Sequence, residues 1–285
     1  MRARPQAKIA AALVAMLLPG CGGSPTRPKF VEETTVFATL FVGEPMTADI
    51  GVSVMHTRPV DKAYDLSEAA VRDALVILQA EGAAAPDTLS MAFPGRYADQ
   101  GLVIQPHTTY HLTVHDGSRT LTATTTTPGP FTMSREPLAV PATMPHSAIP
   151  EDWPMVLDAP DPGQIMLVDT YCLEPRENAH YVHPIGDHDV PKDDKEYGGA
   201  QTPPRNTLFY FRLGDLPTVP GGYRLGFYGD MMQFYGQYTL GLYAIDTNYY
   251  NYLFRDRPET HGGVVGGIGV FGSAARRTWH VKTTR

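Results

Sequence analysis

An all-β protein is what this sequence predicts, and three observations predict it. Short stretches such as residues 49–54 and 110–114 alternate apolar and polar side chains with a period of two. Valine, isoleucine, threonine and tyrosine crowd these stretches, while glycine, proline and aspartate punctuate them. The third observation is a complete hairpin signature: Tyr110-His111-Leu112-Thr113-Val114, then Asp116-Gly117, then Leu121-Thr122-Ala123-Thr124-Thr125. Tyr110, Leu112 and Val114 share one face with Leu121 and Ala123, and an Asp-Gly pair supplies the positive φ of a type I′ turn.

Residues 33–128 read as about seven such strands, which predicts an immunoglobulin- or transthyretin-like β-sandwich. Thr35-Val36-Phe37-Ala38-Thr39-Leu40 is its early strand, residues 67–72 a single helical turn, and Ala74-Leu75-Val76-Ile77-Leu78 a short apolar strand. Nine of the 26 prolines then fall between Pro128 and Pro162. Proline has no amide donor and a fixed φ, so residues 129–162 are expected to join two domains without a packed sheet. Residues 163–285 form the second β-sandwich-like domain. Strands are expected at 165–168, 208–212, 223–228 and 238–243, with a short helix as the alternative to a strand at 246–254.

The first twenty residues read as an address. Arg2, Arg4 and Lys8 precede an uncharged apolar stretch from Ile9 to Leu18. That is too short for a spanning helix, which needs roughly 20 residues, but it fits the apolar region of a signal peptide. It ends in Leu18-Pro19-Gly20-Cys21, which resembles a bacterial lipobox, with Cys21 as the acylated residue. The alternative is cleavage elsewhere and an ordinary thiol at position 21. After the cysteine, Gly22-Gly23-Ser24-Pro25-Thr26 opens a small, polar tether over residues 21–32. Gly22, in place of an aspartate, implies the outer membrane. If Cys21 carries lipid, Cys172 has no partner and is expected to be a buried small hydrophobe.

Composition narrows the function classes. The 285 residues carry a formal net charge of −7, which gives no basic face for nucleic acid, and two cysteines exclude a multi-disulfide scaffold. No Gly-x-Ser-x-Gly elbow, Walker loop or His-Glu-x-x-His sequence is present. Gly267-Ile268-Gly269-Val270-Phe271-Gly272 spells a dinucleotide fingerprint, but only 13 residues follow and none is acidic. A glycine-rich strand with close backbone packing is the expected role. His107, His111 and His115 recur every four residues, which on a strand puts neighbours about 13 Å apart, too far for one zinc ion. They are expected on a solvent face.

The best metal candidates are His180, His183, Asp187 and His188, where imidazole and carboxylate share one loop. A solvated acidic loop is the competing explanation, and no cofactor is expected. Twelve of the 15 tyrosines fall between Tyr171 and Tyr252. Most are expected in sheet and core; Tyr249, Tyr250 and Tyr252 are the candidates for an exposed contact surface. The basic residues Arg276, Arg277, Lys282 and Arg285 are expected to solvate the terminus, or to meet acidic lipid or a partner.

Three blocks near the end carry a family resemblance: Leu242-Tyr243-Ala244-Ile245-Asp246, Tyr249-Tyr250-Asn251-Tyr252-Leu253, and Gly266-Gly267-Ile268-Gly269-Val270-Phe271-Gly272-Ser273. With the lipobox, the early strand and the 110–125 hairpin, they resemble a family of bacterial outer-membrane lipoproteins known as domain of unknown function number four thousand two hundred and forty-nine. The acidic loop at 187–196 has no counterpart in that pattern. The resemblance implies a non-enzymatic envelope protein, often encoded beside a TonB-dependent outer-membrane receptor, and it transfers no catalytic residue. The expected function is therefore an outer-membrane lipoprotein acting as an accessory or ligand-binding component beside such a receptor. A surface carbohydrate-binding module and a metal-dependent hydrolase are the rival readings.

Overall fold

The computed structural model describes residues 30–63, 65–117, 119–134, 143–145, 153–175, 178–181, 205–227, 231–257 and 261–285. The chain divides into two units, Met1–Val31 and Glu32–Arg285, and the strands and helices among the described residues belong to the second.

The first half runs β1 (Thr34–Phe41), β2 (Pro45–Met46), β3 (Val52–His56), α1 (Leu66–Ala69), β4 (Leu75–Ala80), β5 (Asp87–Phe93), β6 (Arg96–Val103), β7 (Thr109–Asp116) and β8 (Arg119–Thr126). There follow β9 (Thr132–Ser134), β10 (Thr143–Pro145), β11 (Trp153–Asp158), β12 (Ile165–Cys172), β13 (His180–Tyr181) and β14 (Asn206–Arg212). The chain ends with β15 (Thr218–Val219), β16 (Gly222–Phe227), β17 (Phe234–Ile245), α2 (Thr247–Phe254), β18 (Val264–Val265) and β19 (Ile268–Thr284). The all-β expectation holds.

One large mixed sheet runs β14-β12-β17-β19-β1-β3-β6-β5-β4-β7-β8-β18, and a four-stranded sheet runs β15-β16-β11-β9. In the first half the large sheet curls around a core of Val36, Leu40, Val54, Val76, Tyr110, Leu112, Val114 and Leu121. In the second half the two sheets face each other. Met133, Met155, Leu157 and Leu225 of the small sheet meet Met166, Val168, Leu240 and Leu242 of the large one. Cys172 is fully buried in that core, as a small hydrophobe.

The 17-residue β19 belongs to both halves. Its first part pairs parallel with β1, from Thr35 opposite Ile268 to Phe41 opposite Ala274. Its later part pairs antiparallel with β17 from Ala274 to Thr283. Phe271 enters the first core, and Ala275 and Val281 enter the second. The glycine block is thus a strand, as its lack of any following helix required. Gly269 has φ +127°, and a Cβ there would strike the Val36 carbonyl oxygen, so the parallel pairing with β1 needs glycine at that point.

Three local expectations shift. Tyr110, Leu112, Val114, Leu121 and Ala123 do share the buried face, but Asp116 pairs with Arg119, so the chain turns one residue later than an Asp-Gly centre implies. The strand expected from residue 49 begins at Val52, because the Ile50 amide closes a turn onto the Thr47 carbonyl. The proline-rich segment 129–162 carries sheet. β11 pairs with β16 through residues 153–157 and with β9 only from Val156 onward. Pro154 therefore sits on a flank that β9 leaves open, where a missing amide donor disrupts no ladder on that side.

Candidate functional site

Odd-numbered residues of β12 and β17 point away from the second core, and α2 lies on the outer face they make. Asp246 starts this helix. Its Oδ1 accepts the Tyr249 amide at 2.9 Å and the Ser273 amide at 3.1 Å, and its Oδ2 accepts the Thr125 hydroxyl at 2.5 Å. One carboxylate thereby caps α2 and ties it to both β19 and β8. Burial pushes the Asp246 carboxyl above the usual carboxylate range, against the opposing pull of those hydrogen bonds. Asn248 adds a second clamp, donating from Nδ2 to the Thr124 and Phe271 carbonyls at 2.7 and 3.0 Å.

The helix brings the three tyrosine candidates into different settings. Tyr249 packs down onto Gly272, where an added Cβ would lie 2.8 Å from the Tyr249 Cβ. Burial raises its phenol above the ordinary value. Tyr250 donates its hydroxyl to that of Tyr210 at 3.1 Å, and the two rings meet edge-on at 4.7 Å. Phe254 completes the group, 4.6 Å from the Tyr210 ring and 5.6 Å from the Tyr250 ring. Tyr252 points the other way, edge-on to Phe37 at 6.0 Å. Tyr249 is thus a structural contact, whereas Tyr250 and Tyr252 belong to half-exposed aromatic groups.

Around them the face is apolar with isolated polar atoms. Leu167, Ile245 and Ala274 form its floor, with Phe41, Ile165 and Tyr243 packed alongside. Asp169 lies on β12 opposite Leu208 and Gly241, and burial holds its carboxyl above the usual range. Its Oδ1 has no hydrogen-bond partner among the described residues. Arg276 grips Glu44 through Nε and Nη2 at 2.7 and 2.6 Å, with its guanidinium carbon 3.9 Å from the centre of the Phe41 ring. It does not simply solvate the terminus.

A polar cleft of about 350 Å³ opens beside the start of α2, lined by Thr124, Thr126, Asp161, Gln164, Asp246 and Asn248 among others. Its buried carboxylate is already committed to three donors. Half-exposed rings, phenol hydroxyls and a few acceptors are the chemistry of noncovalent recognition.

The remaining candidates fall elsewhere. His180 is in β13, paired with Tyr235 of β17. His183, Asp187 and His188, like Cys21, lie outside the described residues. No group of three His, Cys, Asp or Glu side chains placed to hold a metal occurs among the described residues. His111 and His115 sit on the outer face of β7, bonded across the hairpin to Thr124 and Thr120 at 3.1 and 3.0 Å. His107 precedes that strand with φ +50°. Tyr210, Phe254, Asp169 and the Arg276–Glu44 pair had no local signature, since each acquires its setting from strands far apart in sequence. The one readable sign was Asp246, an acid directly before an aromatic helix.

No family model and no curated protein matches the chain. Among solved structures it is similar to the two-domain fibronectin type-III segment of chicken tenascin, at 10% identity over 87% of this chain and 99% of that one. The TM-score is 0.20, too low for that likeness to carry an argument about this protein.

Proposed function

We propose that this chain is a lipid-anchored protein of the bacterial outer membrane, non-enzymatic, which holds a β body at the membrane and binds a partner there. The observation that carries the anchor is Leu18-Pro19-Gly20-Cys21 directly after a basic and apolar leader. Stable anchoring takes more than one acyl chain, and a lipobox cysteine receives them. The resemblance to the lipoprotein family adds the partner class, an outer-membrane receptor.

The binding role is supported by the Tyr210–Tyr250–Phe254 group, whose rings are held in fixed geometry yet stay partly open to solvent. Rigid aromatic side chains lose little entropy when a partner covers them. A glycan is the second reading, because the same tyrosines present hydroxyls beside ring faces.

Radiolabelled palmitate supplied to producing cells tests the anchor, and a C-terminal tag tests the partner. Label incorporated at Cys21, with a receptor barrel recovered in stoichiometric amount from mild detergent, is the expected outcome. An unlabelled protein released in the soluble fraction overturns the anchor. A lipidated protein recovered alone overturns the receptor partnership and leaves the glycan reading to be tried on an array.

A further inference from the structure

The chain enters its folded unit at a defined end. The Glu33 amide donates to the Thr57 hydroxyl at 2.9 Å, and the Thr57 amide donates back to the Glu33 carbonyl at 2.8 Å. Arg119 donates to the Glu32 carbonyl at 3.0 Å, and Thr34 donates its hydroxyl to Asp116 Oδ2 at 2.6 Å. The start of β1, the end of β3 and the tip of the β7–β8 hairpin therefore meet at this end.

Two valines stand out from it, one on each side of β1. Val60 is three residues beyond Thr57 and wholly exposed, at 106% of its reference area. Val265 is 67% exposed, in the short β18 that pairs with Thr122 of β8. It lies three residues before Ile268, which is opposite Thr35. Leu66, also well exposed, lines a groove with Phe37 and Met55 near the same end. Single exposed apolar residues are ordinary on a protein surface. Two that flank the point where the chain enters, with a third nearby, form a pattern that a solvent-facing end has no use for.

We propose that this end of the body rests on the lipid surface, with Val60 and Val265 dipping into the headgroup region and Leu66 beside them. The inference rests on the lipid-anchor reading of Cys21. Eleven residues, 22–32, separate Cys21 from Glu33. A chain of that length reaches at most about 40 Å. The bilayer therefore lies within that reach of Glu33.

The charges at this end are mixed: Arg58, Lys62 and Arg119 stand with Glu32, Glu33, Asp61 and Asp116. Attraction to anionic lipid is therefore not the source of contact, and the contact is expected to withstand salt. β1 runs about 25 Å from this end to Phe41. The polar cleft and the start of α2 lie toward that other end, because Phe41 and Ile245 both pair with Ala274. Docking in this way turns the cleft and the start of the aromatic helix away from the membrane, toward a partner.

The test uses the acylated full-length protein, extracted from membranes and returned to vesicles of phosphatidylethanolamine and phosphatidylglycerol. An environment-sensitive fluorophore is placed at Val60→Cys, Val265→Cys and, as the distal reference, Gln105→Cys. Gln105 follows Ile104, whose carbonyl accepts the Gly43 amide just past β1. The expected result is a blue shift with quenching by nitroxide-labelled lipid at positions 60 and 265, none at 105, and no change in high salt. Water-like emission at all three sites in vesicle-bound, acylated protein overturns the docking while leaving the anchor intact. A shift that vanishes in salt or without phosphatidylglycerol also overturns it. Mass spectrometry of the same sample reports the acyl group separately, and its absence overturns the anchor reading and this inference with it.

Discussion

The hydroxyl of Thr125 donates to the carboxylate of Asp246 at 2.5 Å, across 121 residues of sequence. That bond joins the end of β8 to the cap of the aromatic helix. Through the Ser273 amide the same carboxylate also holds β19, the strand both halves share. Asp246→Ala leaves the half-buried Tyr249 amide and the buried Ser273 amide without this acceptor. Loss of a cap costs about 1 kcal/mol, and an unsatisfied buried donor about 1–3 kcal/mol. We expect a total loss of about 2–4 kcal/mol in denaturant unfolding. A loss below about 0.5 kcal/mol, the range of ordinary surface substitutions, contradicts the structural role.

Gly272 sets the distance between β19 and α2. A methyl group there meets the Tyr249 Cβ at 2.8 Å and Asp246 Oδ1 at 3.1 Å. Gly272→Ala is expected to cost about 1–3 kcal/mol, the range for overpacking a filled interior. Near-ultraviolet circular dichroism should weaken as the helix lifts from the sheet. An unchanged aromatic spectrum with unchanged stability shows that the helix is not seated as described.

Asp169 gives a pH dependence whose sign can be worked out. Burial raises its carboxyl pKa in the folded state. The folded protein therefore binds this proton more tightly than the unfolded chain does. The resulting stability is full below the unfolded value of about 3.9 and is lost as pH rises through the folded value. Asp169→Asn removes the cost of burying the charge. The variant should melt a few degrees above the parent at neutral pH, and the gap should close as pH falls. Thermal melts across the acid range check this; a gap that widens toward acid refutes it.

The sequence carried the parts of this architecture that depend on neighbours along the chain. The 110–125 hairpin was readable because its buried face repeats every second residue. The strands at 165–168, 208–212 and 238–243 were readable for a related reason, their runs of apolar and β-branched or aromatic residues. The helix at Asp246 was open as an alternative, since an acidic cap competes there with a tyrosine-rich, strand-like composition. β9 and β11 were hidden because proline density argues against sheet, yet an open flank removes the penalty. The double use of β19 was not readable at all. A period of two says which side chains share a face, not which two strands will pair with it.

Arg276 and Glu44 illustrate the same limit, being 232 residues apart and joined by two hydrogen bonds. The pair is half-exposed, so its worth is modest despite the bidentate geometry. A double-mutant cycle of Arg276→Lys with Glu44→Gln should give a coupling of about 0.5–1.5 kcal/mol. Arg276→Lys keeps the charge but loses the planar fork and its stacking on Phe41, so it should cost most of that amount by itself. Additive single effects would show that solvent screens the pair.

The aromatic group offers the sharpest division between a protein partner and a sugar. Tyr210→Ala removes the ring that both Tyr250 and Phe254 pack against. If the group anchors a protein partner, such a truncation costs about 2 kcal/mol, roughly thirty-fold in Kd. Tyr250→Phe keeps the ring and deletes only the hydroxyl that reaches Tyr210, so protein binding should fall by less than about three-fold, under 1 kcal/mol. A site that recognises sugar hydroxyls narrows that difference, since Tyr250→Phe then leaves a polar partner unpaired, which is penalised strongly. Titrating the two variants against a captured partner and against glycans separates the cases. Equal affinity of both variants with the parent for every ligand removes this face from the binding function.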